Sequence, residues 1–177
     1  MTLTKSKYYF EALDYYPYNL AECLEALNYA LSYDPEDADS LCLMGRIYSE
    51  MLNDYEKAKL YFGEALQCDV TNLNTPRYYI KCLLDNEDLD EAEKLIEYSL
   101  KIKGIDKCRI LIQKSYLFEI KMDFKKALEL LKEAKGFAYD QQMLDFLKSK
   151  EKFIKEKTPK KRKGITKRKN SKKKETN

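Results

Sequence analysis

The sequence predicts an all-α protein built from repeated helix pairs, and three observations support this fold class. The 177 residues include only five glycines and four prolines, fewer than a turn-rich sandwich or barrel needs. Leucine, lysine, glutamate and alanine, which favour helices, are abundant. A short pattern of small and apolar residues also recurs along the chain every 34 or 35 residues. We therefore expect stacked helix pairs around a continuous core.

The repeated pattern consists of a small residue, an apolar residue four positions later and a second small residue three positions after that. Its clearest copies begin at Ala58, Ala92 and Ala127, and a further copy begins at Cys23. Side chains the size of alanine allow two helix axes to approach to roughly 8–10 Å. We therefore predict that these positions lie at the closest contacts between paired helices.

The period divides the chain into helix pairs at about residues 6–33, 38–69, 75–103 and 107–136. A ninth helix is predicted at about 139–156, because apolar residues there line one side and charges the other. Such a helix caps a repeat array, whose last element needs a polar outer face. These elements make up a predicted repeat domain of residues 1–156.

Residues at the expected helix boundaries support this division. Asn19 and Asp88 each precede a glutamate by three residues, which is the spacing of a capping box. Thr75 followed by Pro76 predicts an N-cap and the first residue of a helix. Gly104 follows two nearby lysines and predicts a helix C-terminus.

The second copy carries the most complete set of large and small residues at fixed spacing. The set is Leu41, Met44, Gly45, Tyr48, Tyr55, Ala58, Phe62, Ala65 and Leu66. It resembles the tetratricopeptide repeat, although this copy has one additional residue between its helices and the chain contains no tryptophan. The resemblance implies a right-handed superhelix of about four helix pairs, with the first helix of each pair lining a concave surface.

The resemblance also implies which residues face a partner. The candidates at inward positions are six basic or aromatic residues and one amide, namely Arg46, Arg77, Tyr78, Lys81, Arg109, Gln113 and Tyr116. Such groups suit an acidic or C-terminal peptide, because arginine binds carboxylates with two parallel bonds and tyrosine offers area at low entropic cost. The alternative is that they are solvated or inter-repeat residues, since acidic neighbours nearly balance their charge.

Some members of the family clamp the C-terminal carboxylate of heat-shock chaperones through lysine, asparagine and arginine residues. The corresponding positions here include Cys42, Asn74 and Tyr78. We therefore do not expect chaperone-tail binding of that kind.

The C-terminal segment differs from the rest in charge. Residues 157–177 hold eleven Lys or Arg and one Glu, whereas the preceding 156 residues carry a net charge of −7. Because Ile165 is the lone large apolar residue of this segment, we predict that the segment is disordered. Its basic clusters could bind nucleic-acid phosphates or an anionic membrane surface; alternatively, it is a solubilising tail that folds back on the acidic body. The candidate nucleic-acid ligands are Lys160, Lys161, Arg162, Lys163, Lys167, Arg168 and Lys169.

Several kinds of chemistry are excluded by composition. The chain has no histidine, which removes Ser-His and Cys-His nucleophiles and histidine metal ligands. The five cysteines are widely spaced without a CxxC pair, so we predict buried free thiols. The five glycines are isolated and form no phosphate-binding loop. We therefore expect no enzymatic activity, no cofactor and no metal.

The leading functional hypothesis is a scaffold or adaptor that binds another protein or peptide on its concave surface. The alternative is a nucleic-acid-associated accessory protein anchored by the basic tail. The sequence contains no apolar run of signal-peptide or membrane-spanning length, so we expect a cytoplasmic protein without a membrane span.

Overall fold

The computed structural model describes residues 6–158 and folds them into nine helices without a strand in that range. The helices are α1 (Lys7–Tyr15), α2 (Leu20–Tyr33), α3 (Ala38–Glu50), α4 (Tyr55–Cys68), α5 (Thr75–Asp85), α6 (Leu89–Ser99), α7 (Lys107–Ile120), α8 (Phe124–Lys135) and α9 (Gln141–Lys157). Four helix pairs are followed by a ninth helix, so the predicted fold class is confirmed.

The small residues of the repeat lie where the helices of each pair approach most closely. Ala58, Ala92 and Ala127 have no solvent-exposed surface, and each packs in an apolar cluster with residues of its partner helix. The clusters also continue from one pair to the next. Ile96 of α6, for example, belongs to the same buried cluster as Leu117 of α7. This sharing of core residues joins the pairs into one array.

Helix α9 covers the open side of the last pair. Leu147 and Ile154 lie on one side of α9 and are buried in the cluster that α7 and α8 form. Two ion pairs fix the helix: Lys135 Nζ lies 2.7 Å from Glu151 Oε1, and Lys157 Nζ donates to Glu119. The predicted capping helix therefore docks through a narrow apolar stripe.

The turns within the later helix pairs share one backbone conformation. Asn53, Glu87 and Met122 have φ angles of 53°, 60° and 60°, in the left-handed region. Each lies between the first and second helix of its pair, where the chain reverses direction. The turn at residues 51–54 is one residue longer than the other two, as the sequence predicts.

The predicted helix starts are correct at one position and wrong at another. Asn19 Oδ1 accepts a hydrogen bond from the Glu22 backbone N–H, as expected of an N-cap. Thr75, by contrast, is the first residue of α5 and not its N-cap. The Thr75 N–H donates to Asn72 Oδ1 at 2.9 Å, because Asn72 lies in the turn just before the helix.

Two other boundary predictions also need correction. Asp88 precedes α6, but its carboxylate makes no capping bond and accepts instead from Lys59 Nζ at 2.9 Å. The competing ammonium group of α4 explains the difference, since an ionised donor bonds a carboxylate more strongly than a backbone N–H does. Gly104 has a φ of 89° but does not end α6, whose last residue is Ser99.

The cysteine prediction holds for four of the five residues. Cys23, Cys42, Cys82 and Cys108 are buried free thiols. Cys68 is exposed, because it is the last residue of α4 and points away from the core clusters. The described residues contain no helix that is long and apolar enough to cross a bilayer.

Candidate partner-binding groove

A groove of about 570 Å³ lies between α3, α5, α7 and α9. This volume falls within the range of about 300–1,000 Å³ that is typical of ligand-binding clefts. Five of the seven residues predicted to face a partner line this groove, which we call the central groove. They are Arg77, Tyr78, Lys81, Arg109 and Gln113.

Three cations line the central groove, and Arg77 is the one that has no acidic partner among residues 6–158. Its Nη2 donates to the Tyr78 hydroxyl at 2.5 Å, and its guanidinium carbon lies 4.4 Å from the Tyr78 ring centroid. Gln113 Nε2 donates to the Arg77 carbonyl oxygen at 2.7 Å and so joins α7 to α5. These contacts orient the Arg77 guanidinium but leave its charge unneutralised.

The other two cations of the groove are paired with carboxylates of their own helix turn. Lys81 Nζ lies 2.7 Å from Asp85 Oδ2, and Arg109 Nε lies 3.0 Å from Asp106 Oδ2. Arg109 Nη2 also donates to the Tyr139 hydroxyl at 3.1 Å, and this bond is the main cause of a raised pKa at Arg109. Both cations are partly exposed, so each can still bind a second anion.

Arg46, also predicted to face a partner, lies beside the central groove and does not line it. Its guanidinium carbon lies 4.5 Å from the Tyr16 ring centroid and 4.1 Å from that of Tyr78. Its Nη2 lies 3.8 Å from Glu50 Oε2, and its Nε is buried without a partner among residues 6–158. Arg46 lines a smaller adjoining cavity of about 140 Å³, where it connects the first three helix pairs.

The carboxylate of Glu50 is held at the edge of the groove by two groups. It pairs with Arg46, and it accepts a hydrogen bond from the Tyr16 hydroxyl. Burial and this hydrogen bond raise the pKa of Tyr16 to about 12. The tyrosine therefore stays protonated as a donor at neutral pH.

Tyr116 is the second predicted residue outside the groove lining. Its side chain is exposed on α7, three residues beyond Gln113, and the groove does not extend to it. The basic residues from Lys160 to Lys169 lie outside the described residues. Their predicted role in binding nucleic acid remains a prediction.

Helix α9 supplies residues that sequence reasoning did not assign to the site. Met143 and Phe146 line the central groove together with Ile112 of α7. Their spacing of three residues is visible in the sequence, which predicts that both lie on the apolar side by which the capping helix docks. Leu147 and Ile154 are the buried docking residues and Met143 packs on the edge of their cluster, whereas Phe146 is exposed in the groove.

Two acidic residues of the α5–α6 turn have structural partners. Asp85 pairs with Lys81, and Asp88 pairs with Lys59. Within residues 6–158, no group of three or more Cys, Asp or Glu side chains is arranged to hold a metal ion.

No protein-family model matches this sequence, and no curated protein sequence matches it. The fold does match solved structures. One of these, described as "MamA RS-1 ArsTM double mutant", is a tetratricopeptide-like protein. It aligns with 86% of this chain and 92% of its own at a TM-score of 0.64 and 16% sequence identity. The likeness supports a tetratricopeptide-type helical repeat fold.

Proposed function

We propose that this protein is a non-enzymatic scaffold or adaptor that binds a peptide segment of a partner protein in the central groove. One observation carries the proposal: a groove of ligand size contains Arg77, a guanidinium group with no carboxylate partner among the described residues. A tetratricopeptide-type fold supports a role in protein interaction in general terms.

Arg77 is suited to bind an anionic group of the partner. A partly buried charge without a counter-ion is poorly compensated, so an arriving carboxylate improves its environment. Arginine can form two parallel hydrogen bonds to a carboxylate. Because the Tyr78 ring and hydroxyl already restrain the guanidinium, little side-chain entropy is lost when a ligand binds.

The remaining predicted residues have distinct proposed roles. Lys81 and Arg109 increase the positive charge of the groove, and Gln113 supplies an amide. Arg46 packs on the Tyr78 ring and positions it. Tyr116 lies beyond the groove, where it contacts the partner outside the bound segment.

The experiment compares partners captured from native cells by wild-type protein and by the triple variant R77A/K81A/R109A. A charge-matched control, K125A/K132A/K152A, removes three exposed lysines of α8 and α9 that form no ion pair among residues 6–158. Quantitative mass spectrometry should find the specific partners depleted in the groove variant and retained in the control. Recovery of the same partners by both variants, with circular dichroism confirming folded protein, would contradict the proposal.

The charge of residues 157–177 favours a second candidate function, association with nucleic acid. The deletion that tests it begins after Thr158, because Lys157 pairs with Glu119 and belongs to the folded domain. It removes ten Lys or Arg residues. We expect the full chain to bind labelled RNA or DNA with a steep salt dependence that the deletion abolishes. Equal anisotropy titrations for both proteins would reject this function.

A further inference from the structure

One wall of the central groove is apolar: two of its residues pack on the edge of the α7–α9 core cluster, and the third is exposed. Ile112, Met143 and Phe146 form this surface, which we call the apolar wall. Phe146 is 45% exposed although its neighbour Leu147 is fully buried against α8. Removing the exposed part of an apolar side chain from water is favourable. The apolar wall is therefore a favourable contact for an apolar group of a ligand.

The apolar wall adjoins the cations of the groove. Ile112 follows Arg109 by three positions on α7, so their side chains lie side by side on one face of the helix. Met143 and Phe146 have the same spacing on α9 and line the same cavity. A ligand residue bound at Arg109 therefore places an adjacent residue against the apolar wall.

Gln113 contributes a hydrogen-bond acceptor between these two regions. Its Nε2 donates to the Arg77 carbonyl, which is an acceptor only, and this bond fixes the orientation of the amide. Its Oε1 is buried and has no hydrogen-bond partner among residues 6–158. Buried polar atoms are normally satisfied, and a peptide N–H entering the groove would satisfy this one.

Two acidic residues, Glu50 and Asp140, line the groove, but neither forms an ion pair with Arg77. Glu50 is engaged by Arg46 and by the Tyr16 hydroxyl. Asp140 Oδ1 accepts from the Met143 N–H at 2.6 Å as the N-cap of α9. Both carboxylates are held by other groups, so Arg77 has no acidic partner among residues 6–158 and can pair with a carboxylate of the ligand.

We infer that the central groove binds a short peptide in which a carboxylate lies within two residues of a large apolar side chain. The carboxylate binds Arg77 and Arg109, the apolar side chain packs on the apolar wall, and a peptide N–H donates to Gln113 Oε1. The carboxylate is that of an Asp or Glu side chain or of a C-terminus. This inference rests on the proposed function and specifies the partner chemistry of the same groove.

A random peptide library displayed on phage, panned against the full chain, tests the inference. We expect enriched peptides with an acidic residue within two positions of Leu, Ile, Met or Phe. Synthetic versions of an enriched peptide, with a free or an amidated C-terminus, are then titrated by fluorescence anisotropy. Loss of binding on amidation identifies the terminal carboxylate as the ligand, and retention identifies the side chain; both outcomes support the inference.

Variants separate the two halves of the site. R77A/R109A and M143S/F146S should each weaken binding by tenfold or more. F153S is the control for the apolar wall, because Phe153 is 49% exposed on α9 but does not line the groove. It should bind as tightly as the wild type.

The outcomes distinguish the inference from the proposed function. Enriched peptides that need Arg77 and Arg109 but lack the acidic and apolar pair, or that bind M143S/F146S as tightly as F153S, overturn the inference alone. Failure to enrich any peptide, or enriched peptides that bind every groove variant equally, overturns both.

Discussion

The ring of Phe62 lies directly against the backbone of Gly45. A Cβ atom built on Gly45 would stand 2.8 Å from both Cδ1 and Cε1 of that ring, closer than van der Waals contact allows. Phe62 itself is fully buried between α3 and α4. The glycine of the repeat pattern is therefore required by the close approach of the two helices.

Replacing Gly45 with alanine should destabilise the protein by about 1–3 kcal/mol, because the buried ring must move to make room. Gly63→Ala is the matched control, since a Cβ at Gly63 meets nothing within 4 Å. Gly63 lies within α4, so that change should stabilise the protein by about 0.5–1 kcal/mol through helix propensity. Urea unfolding measures both values; equal stability of the two variants would contradict the packing argument.

Met122 occupies a backbone conformation that disfavours side chains. Its φ is 60° and its side chain is 70% exposed, so little packing is lost when it is replaced. M122G should be more stable than M122A by on the order of 0.5–1 kcal/mol, because glycine removes the left-handed strain but loses more chain entropy on folding. Thermal unfolding of the two variants tests this, and a more stable M122A would show that the turn is unstrained.

Asp88 should make the stability of the protein depend on pH. Hydrogen bonds from Asn86 and Lys59 lower the pKa of Asp88 in the folded state. The unfolded chain therefore binds a proton first as the pH falls, so this stabilisation is present above about pH 4 and is lost below it.

D88N should accordingly show a shallower loss of unfolding free energy between about pH 5 and pH 3 than the wild type. The control is D90N, because Asp90 is exposed and forms no ion pair among residues 6–158. Urea titrations at a series of pH values measure the slopes. An unchanged slope in D88N would argue against a contribution from the Lys59–Asp88 pair.

The thiols should differ in reactivity. Burial raises the pKa of Cys42 to about 11 and that of Cys82 to about 12, so both remain protonated and inaccessible at pH 8. Cys68 is the exposed cysteine. Ellman's reagent should modify one thiol in the native protein and all five after denaturation. The C68S variant should show no rapid reaction, and rapid modification of a second thiol would contradict the burial.

The helical repeat could be predicted from the sequence because the pattern repeats a packing requirement. Ala58, Ala92 and Ala127 must be small wherever two helices approach closely, and all three are fully buried. The position of the turns follows from the same period, including the additional residue at 51–54. Local spacing contains this information, since helix partners are adjacent along the chain.

The partners of individual side chains could not be predicted in the same way. The repeat register predicts that Arg46 faces a ligand, but it does not indicate that Arg46 also packs on Tyr16 and Tyr78. Asp88 was predicted to cap α6, yet it pairs with Lys59. In each case several groups compete for one charge, and the distances between different repeats decide which contact forms.

The stacking of paired helices in register follows from residue order alone, because small residues at a fixed period leave few other ways to pack them. The position of Met143 and Phe146 in the groove, beside Arg109, is visible only in three dimensions. The reason is geometric: periodicity defines which side of a helix is apolar, whereas the docking angle of a terminal helix defines how much of that side the neighbouring helices cover.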